Sequence, residues 1–231
     1  MGLCCFNGHR VRLLPLVKKR ELFFSWAWQA EGHPPVRIAV NLSACQFRQG
    51  DLATTVRTIL SQTGLDPSLL ELELTESMIM DDPQGAEAAL IALKDLGVSL
   101  SLDDFGTGYS SLNYLSRFPV DHLKIDMSFI RDIGTSDART AVVSSIIDIA
   151  HNLQLTAIAE GVETPEQLSF LIANGCDAMQ GYLFSKTLPA AEFSWLLRQG
   201  ICLRDIVPGQ SVKKLHLAKK NTDLRSSVRN F

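Results

Sequence analysis

Short apolar runs alternate along this chain with longer stretches in which apolar residues return every three or four positions. The runs are residues 36–41 (VRIAVN), 69–75 (LLELELT), 98–103 (VSLSLD), 120–126 (VDHLKID), 155–160 (LTAIAE) and 177–181 (DAMQG). Each is short, rich in leucine or β-branched residues and bounded by polar or turn-forming residues, the signature of a strand. Between and after them, residues 51–62, 83–96, 138–153, 165–173 and 190–198 carry the helical period, several opening on a capping residue or proline and closing on glycine or asparagine. Strand followed by helix, repeated over six units, predicts an α/β protein with a parallel sheet. No composition break divides the units, which favours a (β/α) barrel over two doubly wound halves.

Polar residues recur where these apolar runs end. Asn41, Glu73 with Glu76, Asp103 with Asp104, Lys124 with Asp126, Glu160 with Glu163, and Gln180 all lie at or just beyond successive strand ends. Taken singly, each has an ordinary structural explanation: Glu76 as a helix cap, Asn41 in a turn, Lys124 as a strand-edge charge. In a barrel, however, the carboxyl ends of the strands converge on one rim, where active sites of this architecture form. Carboxylates gathered there repel and hold one another protonated unless cations sit among them. Their oxygen atoms suit hard divalent ions such as Mg²⁺ or Mn²⁺. The adjacent pair Asp103 and Asp104 can serve two such ions about 3.5–4 Å apart, an arrangement that activates water and neutralises charge on a phosphoryl group. Phosphate-ester hydrolysis is the reaction class these residues suggest. The following residues, Phe105, Gly106, Thr107, Gly108, Tyr109, Ser110 and Ser111, read as a loop beside the ions, with glycines that permit positive φ.

Composition narrows the picture further. The 231 residues are 46% hydrophobic and 20% charged, as in an ordinary globular protein with one main domain. No apolar run approaches the roughly 20 residues of a membrane-spanning helix, and residues 13–17 (LLPLV) make a poor signal peptide, so a cytoplasmic location is expected. The five cysteines (Cys4, Cys5, Cys45, Cys176, Cys202) show neither zinc-ligand spacing nor a disulfide framework and are expected to be reduced thiols. Phe6 stands where an N-myristoylation signal requires Ser or Thr. From residue 203 onward seven Lys or Arg face two Asp, leaving an acidic body and a basic tail. Without aromatic interleaving or a recognisable module, that tail reads as a solvated terminus rather than a DNA-binding segment.

Six stretches, VNLSACQF (40–47), LELELTES (70–77), SLDDFGTGYSSLNYL (101–115), VDHLKID (120–126), AIAEGVET (157–164) and GCDAMQGYLFS (175–185), together resemble the EAL family of cyclic di-GMP phosphodiesterases. The resemblance covers residues 26–199. It implies a modified TIM barrel that uses two Mg²⁺ or Mn²⁺ ions to open cyclic di-GMP to linear pGpG in bacterial signalling. By motif, Asn41, Glu73 and Asp103 resemble ligands of the first ion, while Asp103, Asp104 and Glu160 resemble the surroundings of the second ion and the attacking water. Lys124 resembles the residue that orients this water, Glu76 the anchor of loop 105–111, and Gln180 a further polar contact. Asp126 and Glu163 correspond to positions just behind these ligands. Family members often pair through the region of that loop, so the resemblance also implies a homodimer.

The resemblance has gaps. The Glu-x-Leu signature that names the family, with its metal-binding Glu and a following phosphate-holding Arg, has no counterpart before Asn41; Glu21 is followed by LFF. Lys186 and Thr187 stand where the family commonly has Arg-Pro. The expected barrel is therefore incomplete, lacking its first two strands, with residues 1–25 an atypical segment, 26–202 the EAL-type domain and 203–231 the basic tail. Two functions follow from this sequence: a phosphodiesterase whose turnover is reduced or lost with the missing Glu, or a non-catalytic domain that binds cyclic di-GMP or a protein partner.

Overall fold

The computed structural model describes residues 36–48, 51–107, 112–186 and 188. Among them, strands β1 (Ile38–Asn41), β2 (Leu70–Thr75), β3 (Ser99–Phe105), β4 (His122–Ile125), β5 (Thr156–Glu160) and β6 (Ala178–Gln180) form one parallel sheet, ordered in space as in sequence. This is an open, partial (β/α) barrel. Helices α1 (Ala44–Arg48), α2 (Leu52–Thr63), α3 (Glu76–Met80), α4 (Pro83–Lys94), α5 (Leu112–Leu115), α6 (Met127–Arg131), α7 (Asp137–Asn152) and α8 (Pro165–Ala173) supply the connections.

Side chains alternate between the two faces of each strand, and here the alternation separates core from chemistry. Leu70, Leu72 and Leu74 of β2, Leu100 and Leu102 of β3, and Leu123 and Ile125 of β4 are buried in the main apolar cluster with Ile79, Leu90, Leu93, Ile147 and Leu168 of the helices. Burial of each such side chain stabilises the fold by about 1.5–3 kcal/mol. The opposite parity carries Glu71 and Glu73, Ser101 and Asp103, and His122 and Lys124, which face the barrel interior. Parallel register pairs Asn41 with Glu73 and Glu160 with Gln180, while Thr75 rather than Glu73 lies opposite Asp103. The stagger lets residues from different strand positions meet at one level.

The long helices begin where their sequences say they should. Asp82 accepts from the Gly85 N–H ahead of α4, and Thr164 with Gln167 forms a capping box at α8. Helix α2 ends on Gly64, whose φ of 66° is the left-handed closure glycine permits. The one-turn helices α1, α3, α5 and α6 are too short to show a period in the sequence. Strand boundaries shift from expectation by one or two residues, and two of these shifts bear on the site. Strand β3 does not stop at Asp103; it continues to Phe105 through a register shift between Leu102 and Phe105, with Asp104 at φ 57°. Strand β4 stops at Ile125, and Asp126 caps α6, accepting from Ser128 N at 2.9 Å.

The helical pattern at 190–198, segment 1–25, the tail 203–231, and the loop residues Gly108, Tyr109, Ser110 and Ser111 lie outside the described residues. Among those described, no helix is long and apolar enough to cross a membrane.

Candidate active site

All six strands contribute to one continuous polar ring inside the barrel. Asn41 on β1 donates through Nδ2 to Glu73 Oε2 on β2 at 2.8 Å. Lys124 Nζ on β4 stands 2.7 Å from Glu73 Oε1, 3.2 Å from Asp103 Oδ1 on β3 and 2.5 Å from Glu160 Oε1 on β5. Gln180 on β6 donates through Nε2 to that same Glu160 oxygen at 2.9 Å. The centre of the ring is buried, with Lys124 only 2% exposed, while Asn41 at its edge is exposed and Glu160 and Gln180 are half-buried.

Its electrostatics follow from three carboxylates sharing one ammonium. Burial opposes the charge on Lys124, but Glu73, Glu160 and Asp103 outweigh it and hold the amine firmly protonated. Burial also lifts Glu73 above the usual carboxylate range, against the pull of Lys124. Glu160 is pushed up to about 7, again chiefly by burial, with Asp103 and Glu73 adding repulsion. Negative charge is thus in surplus, and a further cation among these oxygens would relieve it. Gln180 Oε1 and Glu73 Oε1 are both buried without a hydrogen-bond partner. An all-oxygen donor set with excess negative charge fits a hard divalent ion. Among the described residues, however, no group of three or more acidic, His or Cys side chains is spaced to hold a metal.

The remaining candidates divide between this ring and its rim. Asp104 is half-buried beside Asp103, its N–H donating to Asp103 Oδ1 at 3.1 Å. Glu76, almost fully buried at the start of α3, accepts from the Gly106 N–H at 3.3 Å. Gly106 has φ 90°, and a Cβ there would stand 3.1 Å from the Phe129 ring, so the turn requires glycine. Phe105 is buried, and Thr107 donates through Oγ1 to the Asp104 carbonyl at 2.8 Å. Two residues are not drawn into the ring. Asp126 serves as the α6 cap, and Glu163 is exposed, its backbone N–H donating to Gln167 Oε1 at 2.8 Å.

Sequence reasoning missed a second polar level below the ring. Arg37 Nη1 lies 2.6 Å from His122 Nε2 and 3.5 Å from Glu71 Oε2, and Ser101 donates through Oγ to Glu71 Oε1. Glu71 and Ser101 are fully buried. Strand parity was the available signal: Glu71 is two residues before Glu73, Ser101 before Asp103, and His122 before Lys124.

The chain that carries this site matches a known group of proteins. The model of the EAL domain family matches residues 19–187, and the chain belongs to that family. It is 49% identical over 198 residues to the cyclic di-GMP phosphodiesterase NbdA of Pseudomonas aeruginosa, a match covering 86% of this chain and 25% of that protein. The chain thus spans about a quarter of the length of such curated relatives. Among solved structures, the PaMucR phosphodiesterase in its c-di-GMP complex superposes with a TM-score of 0.73 at 42% identity, covering 76% of this chain and 71% of that one. The manganese and cy-diGMP complex of Klebsiella pneumoniae BlrP1 gives 0.65 at 32% identity, covering 73% of this chain and 43% of that one.

Proposed function

We propose that this chain is a cyclic di-GMP phosphodiesterase domain, spanning residues 26–202, that opens its substrate to linear pGpG with two divalent ions, Mg²⁺ or Mn²⁺. The observation that supports the reading is the unbroken ring from Asn41 to Gln180, built from the family's motifs and carrying surplus negative charge. An acidic pocket of this kind admits an anionic phosphodiester only with added cations.

Asn41, Glu73 and Asp103 would hold the first ion, and Asp103, Asp104 and Glu160 the second. When bound, such ions polarise the phosphodiester and lower the pKa of water. The chain's own residues do the rest. Lys124 Nζ orients the attacking water, and the Glu160 carboxylate faces the same centre and can accept its proton. Gln180 fixes Glu160 from the outer side. Glu76 holds the backbone of Gly106, which sets the start of loop 105–111 beside the substrate. The reading places the domain in the cytoplasm, acting as a homodimer in bacterial second-messenger signalling.

A second reading has a specific observation behind it. Residues 1–40 contain no Glu-x-Leu, and with the carboxylates of residues 1–231 alone the domain would bind cyclic di-GMP or a protein partner without hydrolysing it. One experiment separates the two. The purified chain is incubated with Mn²⁺ and cyclic di-GMP, and pGpG is followed by chromatography. Product that disappears in Asp103→Asn supports catalysis; nucleotide binding without product supports the second reading.

A further inference from the structure

We infer that Gln167 is a positioning residue for the polar ring: it ties the turn behind Glu160 to the helix behind Lys124 and so holds the two charged groups against each other. The catalytic consequence of this tie rests on the phosphodiesterase reading; the geometric one does not.

Gln167 is the third residue of α8 and is buried. Its Oε1 accepts from two successive backbone N–H groups, Glu163 at 2.8 Å and Thr164 at 3.0 Å, and its Nε2 donates to the Ile130 carbonyl of α6 at 3.2 Å. A capping box asks this side chain for only one of the three bonds, the one to the Thr164 N–H, and a glutamate makes that bond equally well. The bond to Ile130 needs a donor, which an amide has and a carboxylate lacks. Capping alone therefore does not account for a glutamine here.

The amide joins two segments that leave the ring. Glu160 ends β5, and residues 161–164 form the turn that Gln167 holds. Lys124 lies on β4, two residues before Asp126, the cap of the helix that contains Ile130. The turn is also wedged from both sides. Gly161 has φ 70°, and a Cβ there would stand 2.7 Å from Met127 Cβ in the first residue of α6; a Cβ on Gly181 would stand 2.1 Å from the Val162 carbonyl oxygen. Val162 donates its N–H to the Gln180 carbonyl at 3.1 Å, and its own carbonyl accepts from the Leu183 N–H at 3.0 Å. The segment leaving β5 is thus packed between those leaving β4 and β6, and Gln167 adds a buried hydrogen bond across its β4 side. On the ring side of the same stack, Glu160 Oε1 stands 2.5 Å from Lys124 Nζ and 2.9 Å from Gln180 Nε2. A shift of the turn away from α6 carries Glu160 with it, because a single peptide bond separates them, and misplacing a reacting group by about 1 Å can cost about a hundredfold in rate.

The test compares the wild-type chain with Gln167→Glu, Gln167→Met and, as a structural control, Asp82→Ala, which removes the cap of α4. Two quantities are measured. One is the Gln180 side-chain amide signal in ¹H–¹⁵N NMR without added metal, a reporter of its bond to Glu160. The other is kcat and KM for pGpG formation with Mn²⁺. At pH 8 Gln167→Glu keeps the capping box but offers Ile130 no donor. The inference predicts a displaced Gln180 signal in this variant, with kcat lowered about tenfold or more and KM within about twofold of the wild type. Gln167→Met behaves alike, while Asp82→Ala loses thermal stability with both readouts unchanged. A Gln180 signal at its wild-type position in Gln167→Glu overturns the inference, whatever the Tm, and so does the same displacement in Asp82→Ala. A displaced signal with unchanged kcat overturns the catalytic consequence. A wild type that forms no pGpG overturns the phosphodiesterase reading and leaves the amide signal to decide the tie. Should Gln167→Met not fold, Gln167→Glu decides alone.

Discussion

Asp104 has a φ of 57°, in the left-handed region that non-glycine residues other than Asn and Asp seldom enter. That angle turns a simple strand end into a bulge. Strict alternation would point Asp103 into the barrel and Asp104 away from it, whereas the shifted register keeps both near the rim. The sequence shows the paired aspartates but not this angle, because an Asp in ordinary strand geometry has the same neighbours. Two substitutions separate backbone from carboxylate. Asp104→Ala should lower metal-free stability by about 1 kcal/mol through strain, while Asp104→Gly removes the same carboxylate without that strain. Urea unfolding of both variants checks this, and equal stabilities would mean that the angle carries no strain. The cysteines give a second residue-scale prediction. Burial pushes the Cys176 thiol up to about 12, and its Sγ donates to the Ala178 carbonyl at 3.3 Å. Cys45 is exposed. At pH 8, iodoacetamide should modify Cys45 at least about tenfold faster than Cys176, since only thiolates react. Peptide mass spectrometry reads the two rates directly.

Between elements, one latch occurs twice. Ahead of β4, Asp121 exchanges backbone and side-chain bonds with Leu100 of β3: its N–H donates to the Leu100 carbonyl, and its Oδ2 accepts from the Leu100 N–H, both at 2.8 Å. The same carboxylate binds Lys94 Nζ at the end of α4. Ahead of β6, Asp177 repeats the pattern. Its N–H donates to the Ala157 carbonyl at 3.2 Å, its Oδ2 accepts from the Ala157 N–H at 2.9 Å, and His151 in the last turn of α7 meets that oxygen at 2.9 Å. Each latch ties the start of one strand to its neighbour and to the helix that precedes that neighbour. Basic residues at helix ends are legible in the sequence. Their acidic partners, 27 and 26 positions away, become so only once strand order is known. Asp121→Ala and Asp177→Ala should each destabilise by about 1–3 kcal/mol, because a backbone N–H loses its acceptor. The Asn variants, which keep an acceptor oxygen, should lose less. Chemical denaturation of the four variants tests the ranking, and equal losses for Ala and Asn would show that the N–H bond is not what the latch contributes.

Across the whole molecule, what could be read beforehand was the order of strands and the upper ring, because parallel βα units leave few alternatives and place strand ends together. The lower level stayed hidden. Strand parity placed Glu71, Ser101 and His122 on the same face as the ring, but barrel interiors are usually filled by branched apolar side chains, so parity alone did not mark them as a second polar layer. That layer gives the fold a pH dependence of its own. Burial drives the His122 pKa below its ordinary value of 6.5 and is the largest cause; Arg37 and Lys94 push in the same direction, against Glu71 and Asp121. Neutral His122 then accepts from Arg37 Nη1. With the folded value depressed, the unfolded chain binds more protons as pH falls below about 6.5, and the folded state loses stability over that range. Glu73 and Glu160, whose values are raised, act in the opposite sense, so the contribution of His122 is isolated by difference. In His122→Gln, which cannot titrate, the fall in stability between pH 7 and pH 5 should be smaller than in the wild type, the gap widening steadily towards acid. Parallel urea-denaturation midpoints for the two proteins across this interval would mean that the imidazole does not sense pH and that the lower layer only packs.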